Sequence, residues 1–344
     1  MPRPRKRPPA TAAMLGHISA YWTSQLVFVA ATLGIADELA RRPLAPEALA
    51  KRLRVHAPSL RRVLRALASV GVFAARPDGR YRLTPVGATL RSDAPGSLRS
   101  FALMMVDDYN WQSWGALLHG VRMGEIPFDH VHGTPVFEYL RARPEKDRVF
   151  SESMASISGV ENGAIARAYD FGRFGTLVDV GGAHGHLLAT ILGRHRRLRG
   201  ILYDQPQVVE AARAAGFITA PGIAARCTVD GGSFFERVPT GAEAYLMKYI
   251  IHDWNDEQCV RILGLCRQAM APGGRVLVVE HVVAPGNGPD FAKLLDINML
   301  VGPGGCERTR QEFAALFARA GLRLRNVHPT ASPLSVLEAV AANA

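Results

Sequence analysis

Charged side chains follow apolar, strand-like runs in the C-terminal half of the sequence, at the point where each run ends. Asp179 lies in LVDV, Asp204 follows ILY, His252 and Asp253 follow YII, and Glu280 ends VLVVE. Ligands of open α/β sheets bind outside the carboxyl ends of the strands. We therefore expect these five side chains to meet at one rim and to form a binding or catalytic site.

The sequence TLVDVGGAHGHLL predicts a strand, a glycine turn and a helix. Gly181, Gly182 and Gly185 permit positive φ and let a ligand lie against the main chain. The dinucleotide spacing G-x-G-x-x-G is absent, since Ala183 occupies its middle glycine position. Because Asp179 would repel a phosphate, the turn suits the cationic S-adenosylmethionine better, and a purely structural turn is the equal alternative.

Two further stretches fit a nucleoside. Asp204 follows the second strand, where an acid can bind the ribose hydroxyls. Ser233 and Phe234 in GGSFF follow a short apolar run and would then lie near the adenine. Plain loop and core roles are the alternative for both residues.

His252 lies on a predicted strand-to-helix loop, where Asn255 or Asp256 can cap the next helix. An imidazole with an ordinary pKa of about 6.5 can take a proton from a phenol. A carboxylate on the second ring nitrogen would support the imidazolium, and Glu280 and Glu307 are the candidates. A lone histidine is usually structural, but the position at the rim favours a general base.

Alternating strands and helices predict an α/β fold with a doubly wound, Rossmann-like parallel sheet in the C-terminal half. Upstream, one helix begins at Pro46, a second is capped by Ser59, and a hairpin turns at PDG. This order indicates a winged helix. Arg61, Arg62 and Arg65 on the second helix make a DNA-binding regulator one interpretation, and a packing and dimerisation unit is the other.

Composition limits the function classes. The chain has 344 residues, 48% of them hydrophobic, which is enough for two domains with a sizeable core. The net charge of +11 comes from arginines spread along the chain, which favours a solvated surface over a nucleic-acid partner. The four cysteines lack metal-binding spacing and indicate reduced thiols in the cytoplasm. The apolar run at residues 26–35 is too short to span a membrane.

Taken together, these motifs resemble a known family. DVGG..G, the acid at Asp204, GGSFF, MKYIIHDWND, VLVVEHVV and DINMLVGPGGCERTRQEF are similar to the S-adenosylmethionine-dependent small-molecule O-methyltransferases. That group includes plant caffeic-acid and flavonoid enzymes and bacterial enzymes of aromatic natural products. The likeness covers nearly the whole chain, because the family also begins with a winged-helix dimerisation domain.

The resemblance implies roles for individual residues. His252 would be the general base, with Glu280 and Glu307 beside it as catalytic carboxylates. With the turn residues derived above, the cofactor site would consist of Asp179, Gly181, Gly182, Gly185, Asp204, Ser233, Phe234, Lys248, Trp254 and, near the amino-acid end, Ser158. The acceptor site would consist of Met154, Asn298 and Met299, with Asp253 at the rim. From spacing alone, Met154 and Ser158 indicate only a core residue and a cap one helical turn apart.

Two positions depart from the family. It usually has an acid where this chain has Ser233, and a glycine where this chain has Ala183. A hydroxyl can still accept from the adenine amino group, but without charge assistance. The methyl group of Ala183 narrows the turn, so both departures bear on cofactor affinity rather than on the reaction.

The resemblance also implies a domain division. Residues 1–13 would be a disordered basic tail, residues 14–100 the winged-helix dimerisation domain, and residues 101–344 the methyltransferase domain. Within the last, residues 101–170 would form a helical region that covers the substrate, and residues 171–344 the cofactor-binding core. The protein would act as a cytoplasmic homodimer, without nucleic-acid or membrane partners.

The expected reaction is in-line transfer of a methyl group, without a metal, to a hydroxyl of a small aromatic or polyketide natural product. The hydroxyl, which we expect to be phenolic, would lose its proton to His252. Two other classes stay open at this point: a winged-helix DNA-binding regulator, and a methyltransferase-like scaffold that catalyses a non-methylating reaction on an aromatic compound. The identity of the acceptor cannot be read from the sequence.

Overall fold

A computed structural model describes residues 9–342 of the chain. The chain divides into two compact units: one contains the described residues up to Trp111 and Arg143–Ile157, and the other contains Gln112–Ala142 and the described residues from Ser158 onward. Residues 1–8 of the expected basic tail lie outside the described part. The first helix already begins at Ala10, ahead of the expected boundary after residue 13, because ATAA consists mostly of strong helix formers.

Helices and one short hairpin form the first unit. They are α1 (Ala10–Ile18), α2 (Ala20–Leu33), α3 (Ile35–Arg41), α4 (Pro46–Leu53), α5 (Ala57–Ser69), β1 (Phe73–Ala75), β2 (Tyr81–Leu83), α6 (Pro85–Ala88) and α7 (Arg99–Val106). The predicted order of two helices and an antiparallel hairpin is present in α4, α5, β1 and β2. Helix α5 begins before Ser59, whose hydroxyl pairs with His56 Nδ1 instead of capping the helix.

Further helices connect the hairpin region to the sheet. They are α8 (Asp108–Gly115), α9 (Leu117–Met123), α10 (Pro127–His132), α11 (Val136–Arg141) and α12 (Pro144–Ala168). The division between the units falls within α8 and within α12, so the N-terminal part of each helix belongs to the first unit and the C-terminal part to the second.

Strands and helices alternate through the second unit: β3 (Thr176–Val180), α13 (His186–Arg194), β4 (Arg199–Asp204), α14 (Pro206–Ala215), β5 (Cys227–Gly231), β6 (Ala244–Lys248), α15 (Asp256–Ala269), β7 (Arg275–Glu280), β8 (Val282–Val283), α16 (Phe291–Val301), β9 (Arg308–Thr309), α17 (Arg310–Arg319), β10 (Leu322–Pro329) and β11 (Ser335–Ala341). The main sheet has the order β10-β11-β7-β6-β3-β4-β5. Hydrophobic clusters cover both of its faces, as the doubly wound prediction requires.

The sheet is mixed, which corrects the expectation of a wholly parallel one. Strands β5, β4, β3, β6 and β7 are parallel, whereas β11 pairs antiparallel with both β7 and β10. A short connection between β10 and β11 allows only antiparallel pairing, since a parallel pair needs a long crossover. Among residues 9–342, we find no helix with the length and hydropathy needed to cross a bilayer.

Candidate active site

The order of the strands creates a crevice at the centre of the sheet. After β3 the chain moves outward through β4 and β5, then returns to the other side of β3 with β6 and β7. At such a switch point, the loops after the two central strands separate and leave room for a ligand. The glycine turn follows β3 and the HDW loop follows β6, so the predicted residues meet at this rim.

The glycine turn adopts a conformation that an ordinary side chain would oppose. Gly181, Ala183 and Gly185 have φ values of 70°, 49° and 76°. A Cβ atom on Gly182 would lie 2.7 Å from the carboxylate of Asp179, so only glycine fits above this side chain. Asp179 therefore lies beneath the turn, 2% exposed, instead of projecting from it. Burial, assisted by the charge of Asp204, raises the pKa of Asp179 to about 7.

Asp204 closes the turn from the neighbouring strand. Its Oδ2 accepts a hydrogen bond from the Ala183 N–H at 2.9 Å, and its Oδ1 accepts from the Gln205 N–H at 2.7 Å. The Ala183 methyl group does not prevent this arrangement. The Gly232 N–H donates to the Asp204 carbonyl at 2.9 Å, which brings the GGSFF loop beside the acid. Each carboxylate oxygen keeps a lone pair for a ligand hydroxyl.

Aromatic rings form a wall next to Asp204. The Phe234 ring lies 6.0 Å from that of Trp254, and Phe235 meets Trp254 edge-to-face at 4.8 Å. The Ser233 hydroxyl accepts from the Phe235 N–H at 3.3 Å, which fixes the loop. The structure thus brings together three of the predicted cofactor residues and adds Phe235, which the sequence argument did not single out.

His252 lies on a 3₁₀ turn between β6 and α15 and is 8% exposed. Its Nδ1 is 2.7 Å from Glu307 Oε1 and 3.7 Å from Glu280 Oε2. Its Nε2 lies 3.5 Å from Asp253 Oδ1. Since a carboxylate only accepts hydrogen bonds, Nδ1 carries the proton, and Nε2 is the nitrogen free to exchange one.

The charges around His252 change its acidity. Burial by itself lowers the pKa of an imidazole, but the charges of Glu280 and Asp253 and the hydrogen bond to Glu307 outweigh burial, raising the pKa of His252 to about 10. Burial also raises the pKa of the Glu280 carboxyl above its usual range. The ring and the two glutamates lie close enough to surround a metal ion. The distance between His252 Nδ1 and Glu307 Oε1 is that of a direct hydrogen bond. We therefore interpret these three residues as a hydrogen-bonded group rather than as a metal site.

A second polar group lies next to His252, around Lys248. Its Nζ donates to Ser158 Oγ at 2.8 Å and Asn162 Oδ1 at 3.1 Å, and it lies 2.9 Å from Glu161 Oε2. Tyr249 has a φ of 56°, donates to Glu161 Oε1 at 2.8 Å, and stacks on the His252 ring at 5.2 Å. A non-glycine residue held at positive φ is a mark of functional sites. Glu161, Asn162 and Tyr249 were missed from sequence. Lys248 and Ser158 were each assigned to the cofactor site, and the structure brings them within hydrogen-bond distance.

Comparisons with known proteins agree with this geometry. A family model for the O-methyltransferase domain matches residues 114–323, and one for the O-methyltransferase dimerisation domain matches residues 15–93. The chain belongs to the S-adenosylmethionine-dependent O-methyltransferases. This confirms the resemblance found from sequence and makes an enzyme the function class, rather than the DNA-binding regulator.

The similarity to known proteins extends over most of both chains in each case. It is 43% identical to a phenazine O-methyltransferase of Lysobacter antibioticus, with 96% of each chain covered. It is 37% identical to a mitomycin biosynthesis 6-O-methyltransferase of Streptomyces lavendulae, with 92% of this chain and 90% of the relative covered. A solved O-methyltransferase from neocarzinostatin biosynthesis, in complex with S-adenosyl-L-homocysteine and 1,4-dihydroxy-2-naphthoic acid, is 34% identical with a TM-score of 0.77 and covers 93% and 96% of the two chains.

The crevice of this methyltransferase has features that suit S-adenosylmethionine. The open turn at Gly181 exposes main chain, Asp204 offers carboxylate oxygens to hydroxyls, and Phe234 and Trp254 offer aromatic faces to a base. Oδ2 of Asp179 lacks a hydrogen-bond partner within the described residues. Acid at the strand ends, Asp179 and Asp204, fits a cationic nucleoside better than a nucleotide.

The predicted acceptor residues divide between the two units. Asn298 and Met299 lie on α16 in the second unit, where Asn298 Oδ1 accepts from the Trp114 indole N–H at 3.3 Å and Met299 is 7% exposed. Asp253 lies directly beside His252. Met154 belongs to the first unit, so its contact with the acceptor stays a prediction.

Proposed function

We propose that this enzyme methylates a phenolic hydroxyl of a small aromatic natural product and that His252 is the general base. The observation that carries the proposal is the buried His252–Glu307 pair, joined at 2.7 Å and placed at the rim of the crevice. In the neutral form of the ring, Glu307 holds the single proton on Nδ1. Nε2 is then unprotonated and can accept a proton from the acceptor hydroxyl. Glu280 and Asp253 stabilise the imidazolium that results.

The acidity of His252 matches a phenol. A phenol such as that of tyrosine has a pKa of about 10, and the pKa of His252 is raised to about 10. The raised pKa brings His252 closer to a phenol, so it accepts a phenolic proton more favourably than an ordinary imidazole with a pKa of about 6.5 would. The carboxylates around His252 therefore favour removal of a proton from a weakly acidic hydroxyl.

The cofactor, S-adenosylmethionine, supplies a methyl group bonded to a positively charged sulfur. We assign its ribose hydroxyls to Asp204, its adenine to the wall of Phe234 and Trp254 with Ser233 at the edge, and its amino-acid end to the group of Lys248 and Ser158. The Gly181–Gly185 turn would lie against it. Holding the acceptor in line, about 3 Å from the transferred carbon, contributes much of the acceleration.

Flat, ring-shaped acceptors fit the lining of the second unit. Trp114 is bonded to Asn298, and Phe137 lies 6.0 Å from Trp254. The neocarzinostatin relative was solved with a dihydroxynaphthoic acid, and the Lysobacter relative acts on a phenazine by its name. We extend this class of polycyclic or monocyclic hydroxylated aromatics to the present enzyme.

We further propose that the enzyme acts as a cytoplasmic homodimer that associates through residues 14–100, with residues 101–170 covering the substrate and residues 171–344 binding the cofactor. The match of residues 15–93 to the dimerisation family supports the first part of this proposal. Arg61, one of the arginines that suggested DNA binding, forms an ion pair with Glu47 of α4. This contact favours packing over a DNA-reading helix.

The test is His252→Ala, assayed with a phenolic acceptor and S-adenosylmethionine. We expect kcat to fall by about 10²- to 10⁴-fold, the usual contribution of a general base. Calorimetric affinity for S-adenosylhomocysteine should stay within a few-fold of that of the unsubstituted enzyme, because the base does not hold the nucleoside. His56→Ala, on the first unit, is the matched control. Full methylation by His252→Ala would refute the base assignment, and no methylated product from the unsubstituted enzyme would refute the function.

A further inference from the structure

Arg308 is a buried cation whose contacts are mainly with main-chain carbonyls. It is 2% exposed. Its Nη1 donates to the carbonyls of Ile251 at 3.1 Å and Cys306 at 3.3 Å, and its Nη2 donates to the carbonyl of Trp254 at 3.1 Å. Asp256 Oδ1 accepts from Nη2 at 2.8 Å and from Nε at 3.2 Å. The planar guanidinium thus fills its donor positions in one fixed orientation.

These acceptors lie next to the reacting groups along the chain. Ile251 and Trp254 flank His252 and Asp253, and Cys306 immediately precedes Glu307. The side chain of Arg308 therefore joins the segment that carries the base to the segment that carries its carboxylate. Among the described residues, Arg308 is the only cation that donates to these three carbonyls.

Two backbone contacts hold the same segments together. A Cβ atom on Gly305 would lie 1.9 Å from the His252 carbonyl oxygen, so the Glu307 segment rests directly on the main chain of the base. The main chain of Arg308 pairs with Val282 in the short parallel bridge of β8 and β9, just beyond Glu280. One residue is thereby connected to all three segments of the catalytic group.

We propose that Arg308 is a positioning residue, which sets the 2.7 Å hydrogen bond between His252 and Glu307 without touching the substrate. This inference rests on the proposed function, because it concerns the same base. Lysine cannot replace the fork, since its single nitrogen cannot reach carbonyls on both segments and Asp256 in one plane. Misplacement of a catalytic group by about 1 Å can cost about 10²-fold in rate.

The experiment compares Arg308→Lys with Arg319→Lys. Arg319 is the matched control because it also pairs with Asp256, at 3.2 Å, but is 42% exposed. Its hydrogen bonds within the described chain go to the carboxylates of Asp256 and Glu257 instead of the carbonyls of residues 251–254. For Arg308→Lys we expect kcat to fall by about 10- to 100-fold, with little change in KM or in calorimetric affinity for S-adenosylhomocysteine. Arg319→Lys should keep the kcat of the unsubstituted enzyme.

A second readout does not depend on turnover. Histidine NMR of the unsubstituted enzyme and of each variant follows the titration of the His252 ring. Because the bond to Glu307 helps to raise the pKa of His252, a loosened bond in Arg308→Lys should lower that pKa, and Arg319→Lys should leave it unchanged. This readout remains informative even if the enzyme methylates none of the phenols tried, so a failure of the proposed function is distinguishable.

The proposal is overturned if folded Arg308→Lys keeps both kcat and the His252 titration. It is also overturned if kcat and affinity for S-adenosylhomocysteine fall in parallel, which would indicate a general structural role. If Arg308→Lys does not fold, Asp256→Asn removes the carboxylate that anchors the guanidinium and leaves Arg308 in place. The same direction of change in kcat and in the His252 pKa, of smaller size, supports the proposal, and no change in either refutes it.

Discussion

Three carboxyl groups surround the imidazole of His252, although one negative charge would neutralise its positive charge. Glu280 is fully buried, Glu307 is 5% exposed, and Asp253 lies beside the free nitrogen. Burying carboxylates is unfavourable unless they are paired or hydrogen-bonded. Oε1 of Glu280 meets that need by accepting hydrogen bonds from the N–H groups of Ile250 and Ile251, each at 3.0 Å. The acids thus have two roles at once, since they shape the loop and raise the basicity of the ring.

This arrangement predicts a pH dependence of the reaction. As the proposed general base, His252 would work only in its neutral form. Because its raised pKa keeps the ring protonated up to higher pH, kcat/KM should increase as pH rises from neutral toward 10. Glu280→Gln removes the negative charge that contributes most to the raised pKa of His252. The amide keeps an oxygen that can accept from the N–H groups of Ile250 and Ile251. The rising limb of the profile should therefore move to lower pH in Glu280→Gln.

The measurement is kcat/KM between pH 6 and pH 10.5 for both enzymes with the same acceptor. Ionisation of the phenol contributes equally to the two profiles, so their difference reports on the enzyme. Glu243→Gln, at the opposite end of the sheet, serves as a charge-matched control. Superimposable profiles for the unsubstituted enzyme and Glu280→Gln would contradict the proposed electrostatic coupling.

At the scale of elements, the residues at the strand ends could be predicted better than the polar residues that helix α12 contributes to the site. Each acid or histidine at a strand end followed a clear apolar run, and parallel strands bring such ends to one edge, so Asp204, His252 and Glu280 could be placed without coordinates. Glu161 and Asn162 could not. They lie on α12, a long helix of mixed polarity, and only the fold shows that its C-terminal part packs against Lys248.

The C-terminal hairpin shows a different limit. In LRLRNVHP, the residues from Leu322 alternate between apolar and polar as a half-buried strand does, so the sequence itself indicates strand β10. Strand β11 reads SVLEAVA and is buried along most of its length. Its acid, Glu338, is 3% exposed, a position that alternation alone would not assign to a charge. The partners of Glu338 come from other strands and are not adjacent in sequence.

Glu338 joins the hairpin to the parallel part of the sheet. Its Oε1 accepts from Arg275 Nε at 3.0 Å, and its Oε2 lies 3.3 Å from His328 Nε2. We expect Glu338→Gln to lower the free energy of unfolding by about 1.5–3 kcal/mol, because hydrogen bonds to charged groups contribute that much. Urea unfolding measures the change. Glu210→Gln, at a side chain that is 72% exposed, should change it by less than about 0.5 kcal/mol.

The loss of stability in Glu338→Gln should also depend on pH. Burial by itself raises the pKa of Glu338, but the hydrogen bonds from His328 and Arg275 outweigh it and hold the pKa below its usual range. A carboxyl group with a depressed pKa stabilises the fold at pH values above its unfolded pKa, and this contribution is lost as pH falls through the folded pKa. The difference between the two proteins should therefore be largest near neutral pH and shrink in acid. A difference that grows in acid would contradict this account.

At the scale of the whole molecule, two surface features bear on partners: the net positive charge and the exposed apolar side chains of α1 and α2. The net charge of +11 is distributed along the chain, and the matched families are an O-methyltransferase domain and its dimerisation domain. In contrast, Leu15, Ile18 and Trp22 on α1 and α2 are 60%, 65% and 61% exposed. Large apolar side chains that are exposed in a group mark association surfaces.

We therefore expect the double variant Ile18→Glu/Trp22→Glu to dissociate the homodimer. A two-fold interface places the same patch on both partners, so each substitution brings charge into the contact twice and leaves it without a partner. Sedimentation velocity at micromolar protein should show a dimer for the unsubstituted chain and a monomer for the variant. Val70→Glu, immediately after α5, at a side chain that is 50% exposed, is the matched control and should stay dimeric. A dimeric double variant would move the interface away from α1 and α2, and a monomeric unsubstituted chain would refute the dimer itself.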